Sequence, residues 1–200
     1  MKPIIPLPGR VLAAIAVLAL LAPARAAAPA ESWWTNLKVR TLAGEAVTPA
    51  DGGWIVLVFI TPECPLANAS VPVLNALARE FGPRGFTFVG AYVDPTLPPA
   101  VLARHTRDYA LAFATTDDRD HRLVRLAGAT YTPEAFVFTA DGTRLYRGRI
   151  DDRVGDFGAA RPTAVRQDLR EVLTALTGGL AGPFPDGPGF GCAIPEEVKP

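Results

Sequence analysis

The chain is poor in cysteine. Cys64 and Cys192 are its only two among 200 residues. Two thiols are too few for a disulfide-framework scaffold, and a domain of this size does not need one. We therefore interpret both cysteines as candidates for chemistry rather than for scaffolding.

The chain also lacks an excess of positive charge. Lysine plus arginine number 20, as do aspartate plus glutamate; without the first 26 residues the counts become 17 and 20, a net charge of −3, because three cations and no acids are lost. A surface that binds phosphates needs a basic excess. Nucleic acid is therefore not an expected partner, and the sequence has no internal repeat or second transmembrane pattern.

The N-terminus has the pattern of a secretory signal peptide. Lys2 and Arg10 precede an apolar stretch, Val11 to Ala22, that is too short to span a bilayer. Ala24-Arg25-Ala26 then fits a cleavage signal. We expect residues 1–26 to be removed and the mature protein to be periplasmic or secreted, so that it meets a membrane only in transit; an uncleaved anchor is the alternative.

The rest of the chain divides in two. Residues 27–180 predict one domain with a sizeable core. Residues 181–200 are rich in glycine and proline, which disfavours a regular element and predicts a tail that can wrap over the domain and that carries Cys192.

Within the domain, apolar runs alternate with amphipathic stretches. Trp54 to Ile60 is a continuous apolar run typical of a central strand covered on both faces. Asp141-Gly142 predicts a hairpin turn in which both residues take positive φ. The predicted elements in chain order are an extended lead-in or short hairpin over Leu37 to Thr41, the strand Trp54 to Ile60, a helix from Cys64 to Gly82-Pro83 with Pro72 inside it, the strand Phe86 to Val93, a helix from Pro98 to Ala110, a strand near Leu111 to Thr115, a helix capped by Asp117 or Asp118 and ending at Ala127, the strands Glu134 to Thr139 and Thr143 to Ile150, and a helix whose apolar face runs from Val165 to Leu176. This order predicts an α/β fold with a central mixed β-sheet flanked by helices on both faces.

Cys64 follows the predicted central strand in Thr61-Pro62-Glu63-Cys64-Pro65 and stands at the start of a helix. Unpaired amides and the helix dipole stabilise a thiolate there and lower the pKa of the thiol. Glu63 opposes this effect, because an adjacent carboxylate disfavours a second negative charge. We expect a reactive sulfur at the mouth of a groove; the alternative is a buried, inert cysteine at a strand end.

A second motif, Tyr131-Thr132-Pro133-Glu134, directly precedes the apolar run Ala135 to Phe138. Taken alone, Pro133 is expected to follow a trans peptide bond and to begin an edge strand.

The order and spacing of these motifs resemble the thioredoxin superfamily, and within it the exported redoxins of the alkyl hydroperoxide reductase/thiol-specific antioxidant (AhpC/TSA) type. The similarity spans roughly Leu37 to Leu176 and is carried by Phe59 to Pro65, Pro72, Thr132-Pro133 and Leu145 to Ile150.

The resemblance implies a thioredoxin-like fold in which a cis Pro133 faces the nucleophile Cys64. It also implies that the backbone of Thr132 pairs with the substrate, and that Thr61 helps to orient the reactants. Pro65 and Glu63 are then expected to border the substrate groove.

The sequence departs from two patterns of that superfamily. Ala67 stands where a thioredoxin-type C-x-x-C motif has its second cysteine, and Val58 stands where thioredoxins have a buried acid. Thr61 and Cys64 keep half of the peroxiredoxin P-x-x-x-T-x-x-C motif, but Leu57 replaces its proline. Neither mechanism is therefore predicted by a complete motif.

Cys192 leaves three interpretations open. It can be a resolving cysteine that attacks oxidised Cys64 to form a disulfide. It can instead form a permanent disulfide with Cys64 that clamps the tail, which in the chain-entropy model stabilises a fold by about 4 to 5 kcal/mol. Both thiols can also be free.

The leading hypothesis is an exported thiol-dependent oxidoreductase. Cys64 attacks a disulfide-bonded protein or a hydroperoxide, Cys192 resolves the product, and an unidentified reductant restores the thiols; no cofactor and no metal are predicted. The competing hypothesis is a non-catalytic binding or assembly module, such as a copper chaperone of the C-x-x-x-C kind. Asn68 replaces the second cysteine of that motif and no histidine follows His121, so a copper site would need other ligands.

Four other polar residues receive structural interpretations. Arg147 and Arg149 share one face of the last predicted strand and predict a charged, solvated strand edge; the alternative is that they hold a thiolate or an acidic partner. His105 lies on an apolar helical stripe and predicts a half-buried packing residue, whereas His121 stands among acidic residues and predicts an exposed one.

Overall fold

The computed structural model describes residues 33–153, 163–187 and 189–195. The predicted signal peptide lies outside these residues. Within them, no helix has both the length and the apolar character needed to cross a membrane.

The described residues form the predicted alternation of strands and helices. The elements in chain order are α1 (Trp33–Leu37), β1 (Trp54–Ile60), α2 (Pro65–Phe81), a 3-10 turn (Gly82–Arg84), β2 (Phe86–Tyr92), α3 (Pro99–Asp108), β3 (Ala114–Asp117), α4 (Arg122–Ala127), β4 (Tyr131–Thr132), β5 (Glu134–Thr139), β6 (Arg144–Gly148), α5 (Asp168–Thr177) and β7 (Cys192–Ala193). Helix α2 contains Pro72 and ends at the predicted Gly82-Pro83.

A mixed five-stranded sheet, in the order β3-β2-β1-β5-β6, forms the centre of the domain. Strands β1, β2 and β3 are parallel, while β5 and β6 are antiparallel to their neighbours. Alternate residues of β1 face two separate hydrophobic clusters, one with side chains of α2, α3 and α5 and the other with side chains of α1 and α4. Helices therefore cover both faces, and the predicted fold class is confirmed.

The hairpin between β5 and β6 differs from the predicted turn. Only Gly142 has a positive φ, of +93°. Its amide donates to the carbonyl of Thr139 at 3.0 Å, and the amide of Thr139 donates to the carbonyl of Thr143 at 3.0 Å. A type I turn followed by a left-handed glycine therefore joins the strands, so Asp141 does not need positive φ.

Two predicted boundaries are also wrong. Strand β3 begins at Ala114 because the preceding residues bond to helices: the amide of Leu111 donates to Thr106 at 3.1 Å and that of Ala112 to the side chain of Asn75 at 2.7 Å. Val165 precedes α5 and is exposed, since its amide is held by the side chain of Asp152 instead of entering the helix.

The start of α4 is organised by Asp118, one of the two predicted caps. Its carboxylate accepts the amides of Leu123 at 2.8 Å and Val124 at 2.9 Å. The intervening His121 has a left-handed backbone and is buried, with Nε2 2.6 Å from the carbonyl oxygen of Val93. Its predicted exposure is wrong, because the turn directs the ring inward although its neighbours are acidic.

Candidate active site

Cys64 lies between the end of β1 and the first turn of α2. It is the N-cap of α2, and its Sγ accepts the amide of Ala67 at 3.4 Å. Pro65 occupies the first helical position, where its missing N–H costs no hydrogen bond. The cysteine is therefore at the helix N-terminus, where the sequence predicts it.

Thr132 and Pro133 face this sulfur from the other side of the site. The Thr132-Pro133 peptide bond is cis, as the family resemblance implies. Sγ of Cys64 lies 3.0 Å from the carbonyl oxygen of Thr132, and Thr132 is fully buried. The two predicted motifs thus meet at one place, although they are 68 residues apart.

Cys64 and Cys192 form a disulfide, with their Cα atoms 6.0 Å apart. The alternative with two free thiols is therefore wrong for this structure. The tail also contains a regular element, contrary to the prediction: β7 pairs antiparallel with β4, and Cys192 lies opposite Thr132. The backbone of β4, next to the cis proline, thus provides hydrogen-bond partners for the glycine-rich tail, which is not expected to form a strand alone.

The sulfur of Cys64 is enclosed in this state. The residue is 1% exposed and belongs to the hydrophobic cluster that α2 shares with the central sheet. The predicted position at the mouth of an open groove is therefore wrong for the disulfide form, because the tail covers the site. Glu63 and Pro65 are exposed beside it.

Thr61 stands three residues before Cys64 and is 5% exposed. Its Oγ1 is buried and has no hydrogen-bond partner within the described part of the chain. A buried hydroxyl without a partner costs free energy, so it is a place where a bound oxygen atom would gain a hydrogen bond.

Glu134 and Arg147 fix the segment that contains the cis proline. Glu134 is 1% exposed, and its carboxylate accepts the amides of Thr130 at 2.8 Å and Tyr131 at 3.4 Å. Nε of Arg147 donates to the other carboxylate oxygen at 2.6 Å. The sequence does not predict this role of Glu134, because nothing in its motif indicates where its side chain points.

The predicted solvated edge at Arg147 and Arg149 is wrong. Both guanidinium groups pair with buried carboxylates, Arg147 with Glu134 and Arg149 with Asp168 at 2.7 Å. The tail then covers the strand, since the amide of Gly187 donates to the carbonyl of Arg147 at 2.8 Å. The two arginines of this region therefore form ion pairs within the protein, and they do not protect an exposed strand edge from pairing with other chains.

A hydrogen-bond network supports the loop before Cys64 from below. Asn68, one turn into α2, donates through Nδ2 to the carbonyl of Pro62 at 2.8 Å. Its Oδ1 is 2.8 Å from Nε2 of His105, whose Nδ1 is 2.8 Å from the hydroxyl of Tyr92. Because an amide oxygen only accepts, Nε2 of His105 carries the proton and Nδ1 accepts from Tyr92.

Burial shapes the titration of this network. Desolvation lowers the pKa of His105, against the smaller raising effect of Asp108, and it raises the pKa of Tyr92 to about 12. Both groups are therefore neutral at neutral pH, which suits the hydrogen bonds. The predicted packing role of His105 is confirmed, since its ring centroid lies 4.4 Å from that of Tyr109. The predicted half-burial is wrong, because the residue is only 6% exposed and its ring is hydrogen-bonded at both nitrogens.

Residues 33–153, 163–187 and 189–195 contain no group of three or more histidine, cysteine or acidic side chains that could hold a metal ion. His105 and His121 occupy separate sites with hydrogen bonds of their own.

Solved structures with a similar fold come from several bacteria. An uncharacterized conserved protein from Geobacillus kaustophilus is 22% identical with a TM-score of 0.70, covering 82% of this chain and 89% of that one. A hypothetical protein from Sinorhizobium meliloti is 21% identical with a TM-score of 0.67, covering 78% and 88%. A secreted Mycobacterium tuberculosis disulfide oxidoreductase homologous to E. coli DsbE is 24% identical with a TM-score of 0.50, covering 68% and 93%.

These likenesses show a shared thioredoxin-like fold. No curated protein matches the chain significantly. The AhpC/TSA family model matches residues 34–145, more than half of the chain, and that segment contains β1, Cys64 and the cis proline. The chain therefore belongs to the AhpC/TSA family of thioredoxin-like redoxins.

Proposed function

We propose that this protein is an exported thiol–disulfide redoxin in which Cys64 and Cys192 alternate between dithiol and disulfide. The observation that carries the proposal is the Cys64 to Cys192 bond at the N-terminus of α2, against the cis peptide of Thr132-Pro133. The first turn of α2 supports a redox role over a permanent clamp, because its amides and dipole stabilise the Cys64 thiolate that forms when the disulfide is reduced.

In the reduced protein, Cys64 is the nucleophile. The Ala67 amide and the dipole of α2 favour its thiolate, while the Thr132 carbonyl oxygen, 3.0 Å away, favours a protonated thiol that can donate to it. The thiolate attacks one sulfur of a substrate disulfide, a mixed disulfide forms, and the other substrate sulfur leaves as a thiolate. Cys192 then attacks Sγ of Cys64. The substrate sulfur that was bonded to Cys64 leaves as a thiolate, and the internal disulfide forms.

A second candidate substrate is a hydroperoxide, favoured by the buried hydroxyl of Thr61, which has no hydrogen-bond partner among residues 33–153, 163–187 and 189–195. The Cys64 thiolate would attack a peroxide oxygen, becoming a sulfenic acid as water or an alcohol leaves, and condensation with Cys192 would then give the disulfide and water. Arg147 and Arg149 are engaged by Glu134 and Asp168, so neither supplies a spare cation for the peroxide. Because a peroxide would find the Thr61 hydroxyl but no free guanidinium from Arg147 or Arg149, the site favours disulfide substrates over hydroperoxides.

Export is part of the proposal. It rests on the signal-peptide pattern of residues 1–26 and on a disulfide that persists in oxidising compartments. The periplasm or the cell exterior would supply thiol or disulfide proteins as partners, and a separate reductant would restore the dithiol.

Single-cysteine variants test the roles of the two sulfurs with a model disulfide as substrate. We expect Cys64→Ser to reduce turnover of a model disulfide to the uncatalysed rate, and Cys192→Ser to stop after one turnover with a mixed disulfide on Cys64. Mass spectrometry of the trapped species identifies the sulfur involved. Turnover that is unchanged in Cys64→Ser would contradict the proposal and favour a non-catalytic module.

Thr61→Val is the matched control for the substrate class. The change removes the hydroxyl and nearly preserves the side-chain shape. We expect it to leave disulfide exchange unchanged; a selective loss of hydroperoxide turnover would identify the peroxidase reaction instead.

A further inference from the structure

The Cys64 to Cys192 bond is chemically the same as the bond in a mixed disulfide with a substrate. Each joins Sγ of Cys64 to the sulfur of a cysteine in an extended segment. The backbone around Cys192 therefore shows how a segment can approach Cys64: antiparallel to Thr132, with the amide of Ile194 donating to the carbonyl of Thr130 at 3.1 Å.

The position before the cysteine has no room for a side chain. A Cβ on Gly191 would overlap the carbonyl oxygen of Thr132 and lie 2.7 Å from its carbonyl carbon. These are backbone atoms of a fully buried residue, in a segment held by Glu134. They cannot rotate away as a side chain could, so a glycine is required at this position.

The neighbouring positions are more permissive. A Cβ on Gly189 would meet the side-chain ring of Tyr131, 2.8 Å away, which is 37% exposed and can turn aside. Ala193 is exposed and sets no limit on its side chain. Ile194 packs against the hydrophobic cluster on the α4 face of the sheet, which favours an apolar residue two places after the cysteine.

We propose that the tail and a substrate segment occupy the edge of β4 in turn, so that Cys64 selects extended protein segments in which glycine directly precedes the reactive cysteine and an apolar residue stands two positions after it. The segment leaves β4 before Cys192 attacks Sγ of Cys64 from the side opposite the mixed disulfide bond. This inference rests on the proposed redox role of Cys64. It names the substrate class as Gly-Cys-x-apolar segments that pair with Thr132 as a strand.

Short capped peptides test the selection on the reduced, full-length Cys192→Ser protein. The peptides contain Gly-Cys-Ala-Ile, Ala-Cys-Ala-Ile, Gly-Cys-Lys-Ile or Gly-Cys-Ala-Asp, and each carries thionitrobenzoate on its cysteine. The Cys64 thiolate attacks the peptide sulfur, forms the mixed disulfide and releases the coloured thionitrobenzoate anion, whose appearance gives the rate. Rates with free glutathione normalise for the intrinsic reactivity of each peptide.

We expect the Ala-Cys-Ala-Ile peptide to react about tenfold or more slowly than Gly-Cys-Ala-Ile, because overpacking against fixed backbone is costly. The Asp peptide is also expected to be slower, whereas the Lys peptide should match the parent. Equal rates for the Gly and Ala peptides would overturn the selection rule and leave the redox role intact. A Cys64 that reacts neither with the peptides nor with the free thionitrobenzoate disulfide would remove both.

Two tail variants test the steric premise within the protein itself. In a defined thiol–disulfide buffer, Gly191→Ala is expected to shift the internal equilibrium about tenfold towards the dithiol. Gly189→Ala is the matched control and should stay near the wild type, because the ring of Tyr131 can move. Equal shifts in the two variants would contradict the premise.

Discussion

The side chain of Asp118 is buried, and burial disfavours the charged form of its carboxyl group. The residue is 1% exposed, and desolvation raises its pKa from 3.8 to about 6, although the amides of Leu123 and Val124 act in the opposite direction. The folded state therefore binds this proton more tightly than the unfolded chain does. Stability from this group is greatest below the unfolded pKa and falls as the pH rises through about 6.

Replacement of Asp118 by asparagine isolates this effect, because the amide resembles a protonated carboxyl group but does not titrate. We expect the free energy of unfolding of the wild type to fall relative to Asp118→Asn by up to about 3 kcal/mol between about pH 4 and about pH 7. Urea unfolding of both proteins at the two pH values measures the difference. A difference that is independent of pH would contradict the assigned burial effect.

Individual site residues differ in whether the sequence can predict them. Cys64 and Pro133 are found from local motifs, since a helix start and a following strand are visible in the neighbouring residues. The partnership of Asn68 with His105 joins residues 37 apart, and no periodicity encodes it. It depends on where α2 and α3 cross the sheet, which only the assembled fold determines.

At the scale of the element, the tail shows how context overrides composition. Its glycines and prolines predict a segment without a regular element that can wrap over the domain, and they predict neither β7 nor its partner β4. Phe184 donates its amide to Leu145 at 2.7 Å, Gly187 to Arg147 at 2.8 Å, and Ile194 to Thr130 at 3.1 Å. The tail is therefore held at two places, first along β6 and then along β4.

We expect only the second attachment to depend on the disulfide. In Cys192→Ser we expect the amide of Ile194 to lose most of its protection against hydrogen exchange, because two-residue strands are weak without the covalent bond. The amide of Phe184 should keep its protection, since it is anchored on β6. Exchange measured on both proteins by NMR gives the comparison, and an equal loss at both amides would show that the tail moves as one unit.

At the scale of the whole molecule, the fold class follows from the order of apolar and amphipathic segments. The central strand, the long helix after it and the closing hairpin were all predictable, because a continuous apolar run, an amphipathic stretch and an Asp-Gly turn are each visible in neighbouring residues. The state of Cys192 was not predictable: the cysteines lie 128 residues apart, and a disulfide over such a distance is fixed by tertiary packing alone.

The disulfide also links stability to redox chemistry. Closing a loop of 128 residues corresponds to about 5 kcal/mol in the chain-entropy model, a large share of the 5 to 15 kcal/mol that is typical of a domain. By linkage, whatever the bond adds to the stability of the fold, the fold adds to the stability of the bond. A permanent clamp and a working redox centre therefore predict different reduction potentials.

The reduction potential of the Cys64 to Cys192 pair is the most direct test of the central claim. Equilibration of the intact protein in graded thiol–disulfide buffers, followed by alkylation of free thiols and mass spectrometry, gives the value. A redox-active pair predicts a reversible transition between about −270 and −120 mV, the range of exchange proteins. A potential below about −300 mV, as in structural disulfides, would contradict the account.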